Sequence, residues 1–206
     1  MKKLVFFISF TFLFTHSYAQ TIPDSITTRQ IDSLKARRLK GNKIQVAGGI
    51  KMGSNNDIFE NLQSNPQFAT LVKAMRVAGL PLTFKSNGPI TLFAPIDDAF
   101  KKLPKGKLDT LLKKRHILDM SALLTCHAVP GKLTIDDIKD QITQNKGKAK
   151  FITLGGNEIF ATMDGKDVIL TDELGNKSMI QAGDFRQYNG LIHVINGILL
   201  PKPKAI

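Results

Sequence analysis

Apolar residues recur along this chain with two different periods, helical in the first part and alternating in the last. Asp57 with Glu60 three residues on forms a capping-box pair ahead of Ile58, Phe59 and Leu62. Asn65-Pro66 then supplies a cap followed by proline at the first helical position. Phe68, Leu71, Val72, Met75 and Ala78 follow at helical spacing, and Gly79 suits the stop. After Asn87-Gly88-Pro89 the period changes, and residues 90–94 read as a short apolar strand closed by Pro95. A helix follows with Asp97 or Asp98 as its cap, Phe100 and Leu103 on its inner face and Pro104 at its end. Further short helices are predicted over 108–112, 119–124 and 135–138. From Phe151 onward the pattern is strand and turn: 151–154 and 157–163 flank Gly155-Gly156, and Asp164-Gly165 leads to 168–171. Strand 179–182 follows, and Asn189-Gly190 opens 191–195. Helices early and antiparallel strands late predict an α+β domain, not a doubly wound α/β fold.

The N-terminus obeys neither period. Met1-Lys2-Lys3 is positive, residues 4–14 are apolar except for Ser9 and Thr11, and Ser17-Tyr18-Ala19 puts small residues at −3 and −1 before Gln20. This order predicts a signal peptide over residues 1–19, since the apolar run is too short for ~30 Å of hydrocarbon. No cysteine stands at the cleavage site, so no stable membrane anchor is expected, and the mature chain should be exported: extracellular, at the cell surface or periplasmic. Residues 20–53 have only a thin apolar stripe (Ile31, Leu34, Leu39), broken later by Gly41, Gly48, Gly49 and Gly53. They read as a loosely held basic extension, with the domain occupying residues 54–203.

Composition adds constraints. The chain has 206 residues, 42% of them hydrophobic, which is enough for one core. Cys126 is its single cysteine, so no internal disulfide can form, and a buried small apolar side chain is its commoner reading beside a reactive thiol. The net charge is +12. Lys101, Lys102, Lys105, Lys107, Lys113, Lys114 and Arg115 face only Asp109 as a local counter-charge. Such a cluster favours anionic partners such as acidic polysaccharide (acidic glycan), lipid headgroups or other acidic surfaces, and a merely solvated face explains it at least as well. No aromatic residues interleave with it as a stacking platform needs, and export also argues against nucleic acid as a partner.

The familiar catalytic constellations are missing. Outside the leader the histidines are His116, His127 and His193, with no His-Glu-x-x-His, no zinc spacing and no Gly-x-Ser-x-Gly elbow. Residues 48–54 have glycines at phosphate-loop spacing, yet Ser54 stands where a lysine is required. Asp97-Asp98 and Asp136-Asp137 each sit at a helix start, where capping accounts for both pairs. Cys126-His127 are read as strand neighbours, which do not face each other as nucleophile and base must. No enzyme, no cofactor and no metal are expected.

Three segments resemble the signature blocks of the fasciclin family. They are residues 91–100 (TLFAPIDDAF) with Leu103-Pro104, residues 126–133 (CHAVPGKL) preceded by Leu123-Leu124, and residues 189–201 (NGLIHVINGILLP). The resemblance covers about residues 54–203 and implies a bent β-sheet wedge with helices packed on one side. It also implies a cofactor-free adhesion module whose partner is a cell-surface or matrix protein. In this reading His193 is a hydrogen-bonded structural residue. Ile96 replaces a usual threonine, which moves the cap role to Asp97. Two pairs tied to integrin binding in some animal members correspond here to Cys126-His127, where the tyrosine is lost, and Asp184-Phe185. The resemblance further places His127 beside the Asp97-Asp98 helix start, held by one of those carboxylates.

Overall fold

The computed structural model describes residues 42–85 and 88–203; the expected signal peptide over residues 1–19, residues 20–41 of the expected extension and Asn87 lie outside them. The strands are β1 (Ile44–Ala47), β2 (Ile50–Gly53), β3 (Ile90–Pro95), β4 (Ala128–Pro130), β5 (Lys148–Ile152), β6 (Glu158–Asp164), β7 (Asp167–Asp172), β8 (Lys177–Gln187) and β9 (Gly190–Ile195). The helices are α1 (Ile58–Gln63), α2 (Ala69–Val77), α3 (Pro81–Lys85), α4 (Asp97–Lys101), α5 (Lys107–Leu111), α6 (Ile117–Cys126) and α7 (Ile135–Gln144). This is the expected α+β order.

Strands β3 to β9 form one sheet in the order β4-β3-β9-β8-β7-β6-β5. Every pairing is antiparallel except β3 with β9, whose partners run in parallel from Ile90 opposite Gly190 to Pro95 opposite Ile195. A Cβ at position 190 would run into the Ile90 carbonyl, so only glycine permits this pairing to begin there. The eleven-residue β8 bends at register shifts between Ile180 and Phe185, where Asp184 takes a left-handed φ of 57°. The bend curls the sheet until its two edges meet: Leu154, just beyond β5, donates its N–H to the Ala128 carbonyl of β4 at 2.7 Å.

A curled sheet has two apolar faces, and each is filled. The convex face packs against the early helices through Phe68, Leu71, Met75 and Phe100, met by Leu92, Ile192 and Val194 from the sheet. The interior of the curl holds Phe93, Phe151, Ile159, Leu170 and Ile195, closed by Ile138 and Ile142 of α7. Alternation along β3 and β9 sends successive residues to opposite clusters, which is why both strands are buried throughout.

Local chemistry matches the sequence reading at several element ends. Asp57 and Glu60 form the capping box on α1, at 2.7 and 3.1 Å. Pro66 opens a 3-10 turn ahead of α2, and Gly79 ends that helix at φ 70°. Thr134 and Asp137 cap α7 in the same reciprocal manner, and their hydrogen bonds hold the Asp137 carboxyl below its ordinary pKa.

The expected boundary at Ser54 is a correction. Residues 44–53 form an antiparallel hairpin whose Ile50 and Met52 are buried in the convex-side core. Gly48 and Gly49, read as breaks, are the turn itself, with φ of 57° and 79°. Side chains lash the hairpin down. Asn65 holds both the N–H and the carbonyl of Lys51, and Asn61 does the same for Gly53. Gln45 bonds the β8 backbone at Asp184 and Arg186. The turn between β8 and β9 also shifts by one residue, centring on Tyr188-Asn189. Asn189 is buried there, accepting from the Ile58 N–H at 3.0 Å and donating to the Phe84 carbonyl at 2.7 Å.

Candidate functional site

The residues singled out by sequence separate into a buried group and an exposed group. Cys126 ends α6 and His127 is its C-cap, so the pair lies at a helix terminus and not on a strand. Both are fully buried. The His127 Nδ1 lies 2.8 Å from the Leu123 carbonyl, and its Nε2 lies 3.0 Å from the Leu199 N–H. A carbonyl can only accept and an amide N–H can only donate, so the ring is neutral with its proton on Nδ1. Burial lowers its pKa to about 4. The expected partnership with Asp97-Asp98 is therefore wrong: His127 faces the C-terminal segment instead. Asp97 caps a different helix, accepting from the Thr70 N–H in the first turn of α2 at 2.8 Å, while Asp98 pairs with Lys101 at 2.7 Å. The backbone, not Asp97, makes the N-cap of α4, at Ile96.

Burial pushes the Cys126 thiol up to about 12, with Asp172 and Glu173 adding negative potential. A thiol so protonated has no nucleophilic character at neutral pH. Phe185 belongs to the convex-side core and has no face to offer a partner. Asp184 is likewise built into the fold. Its carboxylate accepts from the Ile135 N–H at the start of α7 (2.9 Å), its N–H donates to Nδ1 of His193 (3.2 Å) and its carbonyl accepts from Gln45 (2.9 Å). The corrected reading of Cys126, His127 and Phe185 is internal: none reaches the surface.

His193 has the structural role expected of it. Its Nε2 donates to the Leu133 carbonyl at 2.7 Å, its ring stacks on Phe93, and burial lowers its pKa. Sequence reasoning missed Asp172, a buried carboxylate at the end of β7. It accepts from the N–H groups of Leu174 and Asn176 (2.9 Å each), from Asn176 Nδ2 (2.8 Å) and from the Leu200 N–H (2.7 Å). His127 and Asp172 thus grip adjacent amides of the segment 196–203, and Asn157 Nδ2 reaches the Lys202 carbonyl at 3.4 Å. This C-terminal strap is held by buried polar side chains, and the only sequence signal for it is an acid closing an apolar strand.

The basic cluster is exposed throughout. Lys101 is engaged with Asp98, and Lys102 donates to the Asn196 carbonyl at 2.7 Å. Lys105, Lys107, Lys113, Lys114 and Arg115 lie on α5 and the segments beside it. Next to them a groove of about 890 Å³ runs between α5, α6 and the strap. Leu111, Leu118, Leu123, Leu174, Leu200 and Pro201 supply its apolar lining, and Lys107, Asp119 and Lys202 supply its charges. Leu118 is 83% exposed and Leu174 51% exposed. The signal for Leu118 was in the helix pattern: Met120, Leu123 and Leu124 point inward, and Leu118 with Ala122 lies off that stripe. Among the described residues, no three His, Cys, Asp or Glu side chains are grouped to hold a metal ion.

Residues 66–201 match the fasciclin domain family, and the chain belongs to that family. It is 34% identical over 145 residues to protein sll1483 of Synechocystis, covering 70% of this chain and 73% of that one. It is 26% identical over 162 residues to human periostin, covering 79% of this chain but only 18% of periostin. The fold is shared with a FAS1 domain pair from the insect cell adhesion molecule fasciclin I, at a TM-score of 0.62 and 19% identity over 70% of this chain. The chain spans about half (51%) of that pair.

Proposed function

We propose that this chain is an exported, non-enzymatic interaction module that attaches to a cell-surface or matrix protein. The observation that carries this reading is where the family's signature blocks spend their polar groups. His127 and His193 within the blocks, and Asp184 ahead of the third, are bonded to backbone within the domain, and the Cys126 thiol is buried, so the blocks maintain a scaffold and leave binding to its surface. The fold shared with the insect adhesion molecule supports the same reading. No helix among the described residues is long and apolar enough to cross a membrane, and the leader at residues 1–19 supports export. A second reading, an acidic polysaccharide as ligand, is favoured by the exposed lysines of α5 and the segments beside it.

Binding of the mature protein to immobilised envelope fraction from its host, before and after protease treatment of that fraction, separates the two. A protein partner predicts binding that is lost on protease treatment and survives 0.5 M salt, a concentration at which the Debye length is about 4 Å. A polysaccharide predicts binding that survives protease and fades above about 0.15 M salt. Binding to neither preparation contradicts both.

A further inference from the structure

The groove beside the basic cluster combines features that an ordinary protein surface does not. Its lining is dominated by leucine and proline, yet two of the leucines stand largely in water, Leu118 at 83% and Leu174 at 51% exposure. Its volume of about 890 Å³ is in the range of small-molecule sites, roughly 300–1,000 Å³. Its walls are fixed in advance. The strap that carries Leu200, Pro201 and Lys202 is fastened by His127, Asp172 and Asn157. A preformed wall loses little conformational freedom when a ligand arrives.

Charge selects the kind of ligand. Lys107 on α5 and Lys202 on the strap border the apolar lining and are exposed. The one lining acid, Asp119, is turned to Nδ1 of His116 at 2.8 Å. Lys113, Lys114 and Arg115 stand in the connection between α5 and α6, the two helices that contribute to the lining, and are exposed, so they add to the positive charge of that part of the chain. A neutral apolar ligand would leave the bordering lysines without a counter-charge, and a small anion would leave the leucines wet.

We propose that this groove binds a single-chain anionic amphiphile of the fatty-acid class, its acyl chain on the leucine lining and its carboxylate at Lys107 and Lys202. This proposal does not rest on protein attachment, and neither result decides the other. Laurate, kept below its micelle concentration, is the probe, titrated into the mature chain by calorimetry with amide shifts mapped by NMR. Saturable one-to-one binding is expected, with shifts centred on Leu118, Ala122, Leu174 and Lys202. Leu118→Asp and the pair Lys107→Glu with Lys202→Glu should each weaken it at least tenfold. Butyrate and dodecyl maltoside should each bind at least tenfold more weakly than laurate. These positions are exposed, so the variants should melt as the parent does; if Leu118→Asp does not, Leu174→Asp replaces it. The proposal is overturned by absent saturation, by shifts that map away from the groove, or by dodecyl maltoside binding as well as laurate. It is equally overturned if a second copy fills the groove, seen as a dimer that Leu118→Asp dissociates while laurate has no effect.

Discussion

At the scale of single residues, His127 ties chemistry to stability most directly. Its pKa is lowered by burial from 6.5 to about 4, so between those values the unfolded chain holds a proton that the folded chain excludes. The stability this group contributes is therefore fully present above pH 6.5 and lost as pH falls toward 4. Urea unfolding should show the domain losing about 2 kcal/mol from this group between pH 7 and pH 5, and His193, lowered in the same direction, adds to the loss. His127→Ala should cost on the order of 1–3 kcal/mol at pH 7 and flatten the pH dependence. An unchanged slope in the variant would show that the ring does not titrate as described. Asp172→Asn replaces one acceptor oxygen by an NH₂ among four donors, and a loss on the order of 1–3 kcal/mol is expected in the same assay. Cys126 should react with a thiol-directed disulfide reagent at pH 8 at least a hundredfold more slowly in the native protein than in urea. Fast native labelling would show that the thiol is not buried. Residue types were legible here, but partners were not. A buried imidazole needs two hydrogen bonds, and nothing local reveals that one comes from Leu199, a residue 72 positions away.

At the scale of elements, periodicity carried most of the reading. Helix α2 and strands β6, β7 and β9 stand where their apolar spacing puts them, because period and capping are local properties of a sequence. Strand β5 (Lys148–Ile152) begins earlier than the expected 151, and β8 (Lys177–Gln187) extends past the expected 179–182 at both ends. What failed was punctuation. Gly48-Gly49 has the composition of an end but is a turn, since Ile50 and Met52 make too short an alternation to register before they are packed. Two buried side chains at about 1.5–3 kcal/mol each make the hairpin worth about 3–6 kcal/mol. A chain beginning at Ser54 should lose about that much in urea compared with one beginning at Asn42. Equal midpoints for the two chains would return the boundary to residue 54. The bulge in β8 was also hidden, because its cause is tertiary: Asp184 bends the strand while capping α7 from another part of the chain.

At the scale of the whole molecule, the same sheet that makes the signature blocks necessary also takes them away from partners. Strands β3 and β9 are covered on both faces, so the side chains most characteristic of the family stabilise the curl, while the groove with exposed Leu118 and Leu174 and bordering Lys107 and Lys202 is built from α5, α6, the β7–β8 turn and the strap. Family kinship was legible from three blocks, but the groove was not, because its walls come from segments far apart in sequence. The central claim is that the blocks hold the scaffold and the surface does the binding. The most direct measurement is the binding curve of His127→Ala on the host envelope fraction, taken at a temperature where a melt shows both proteins folded. The account predicts a lower melting temperature and unchanged affinity per folded molecule. An unchanged melting temperature with lost binding would contradict it, and would place His127 at the contact surface.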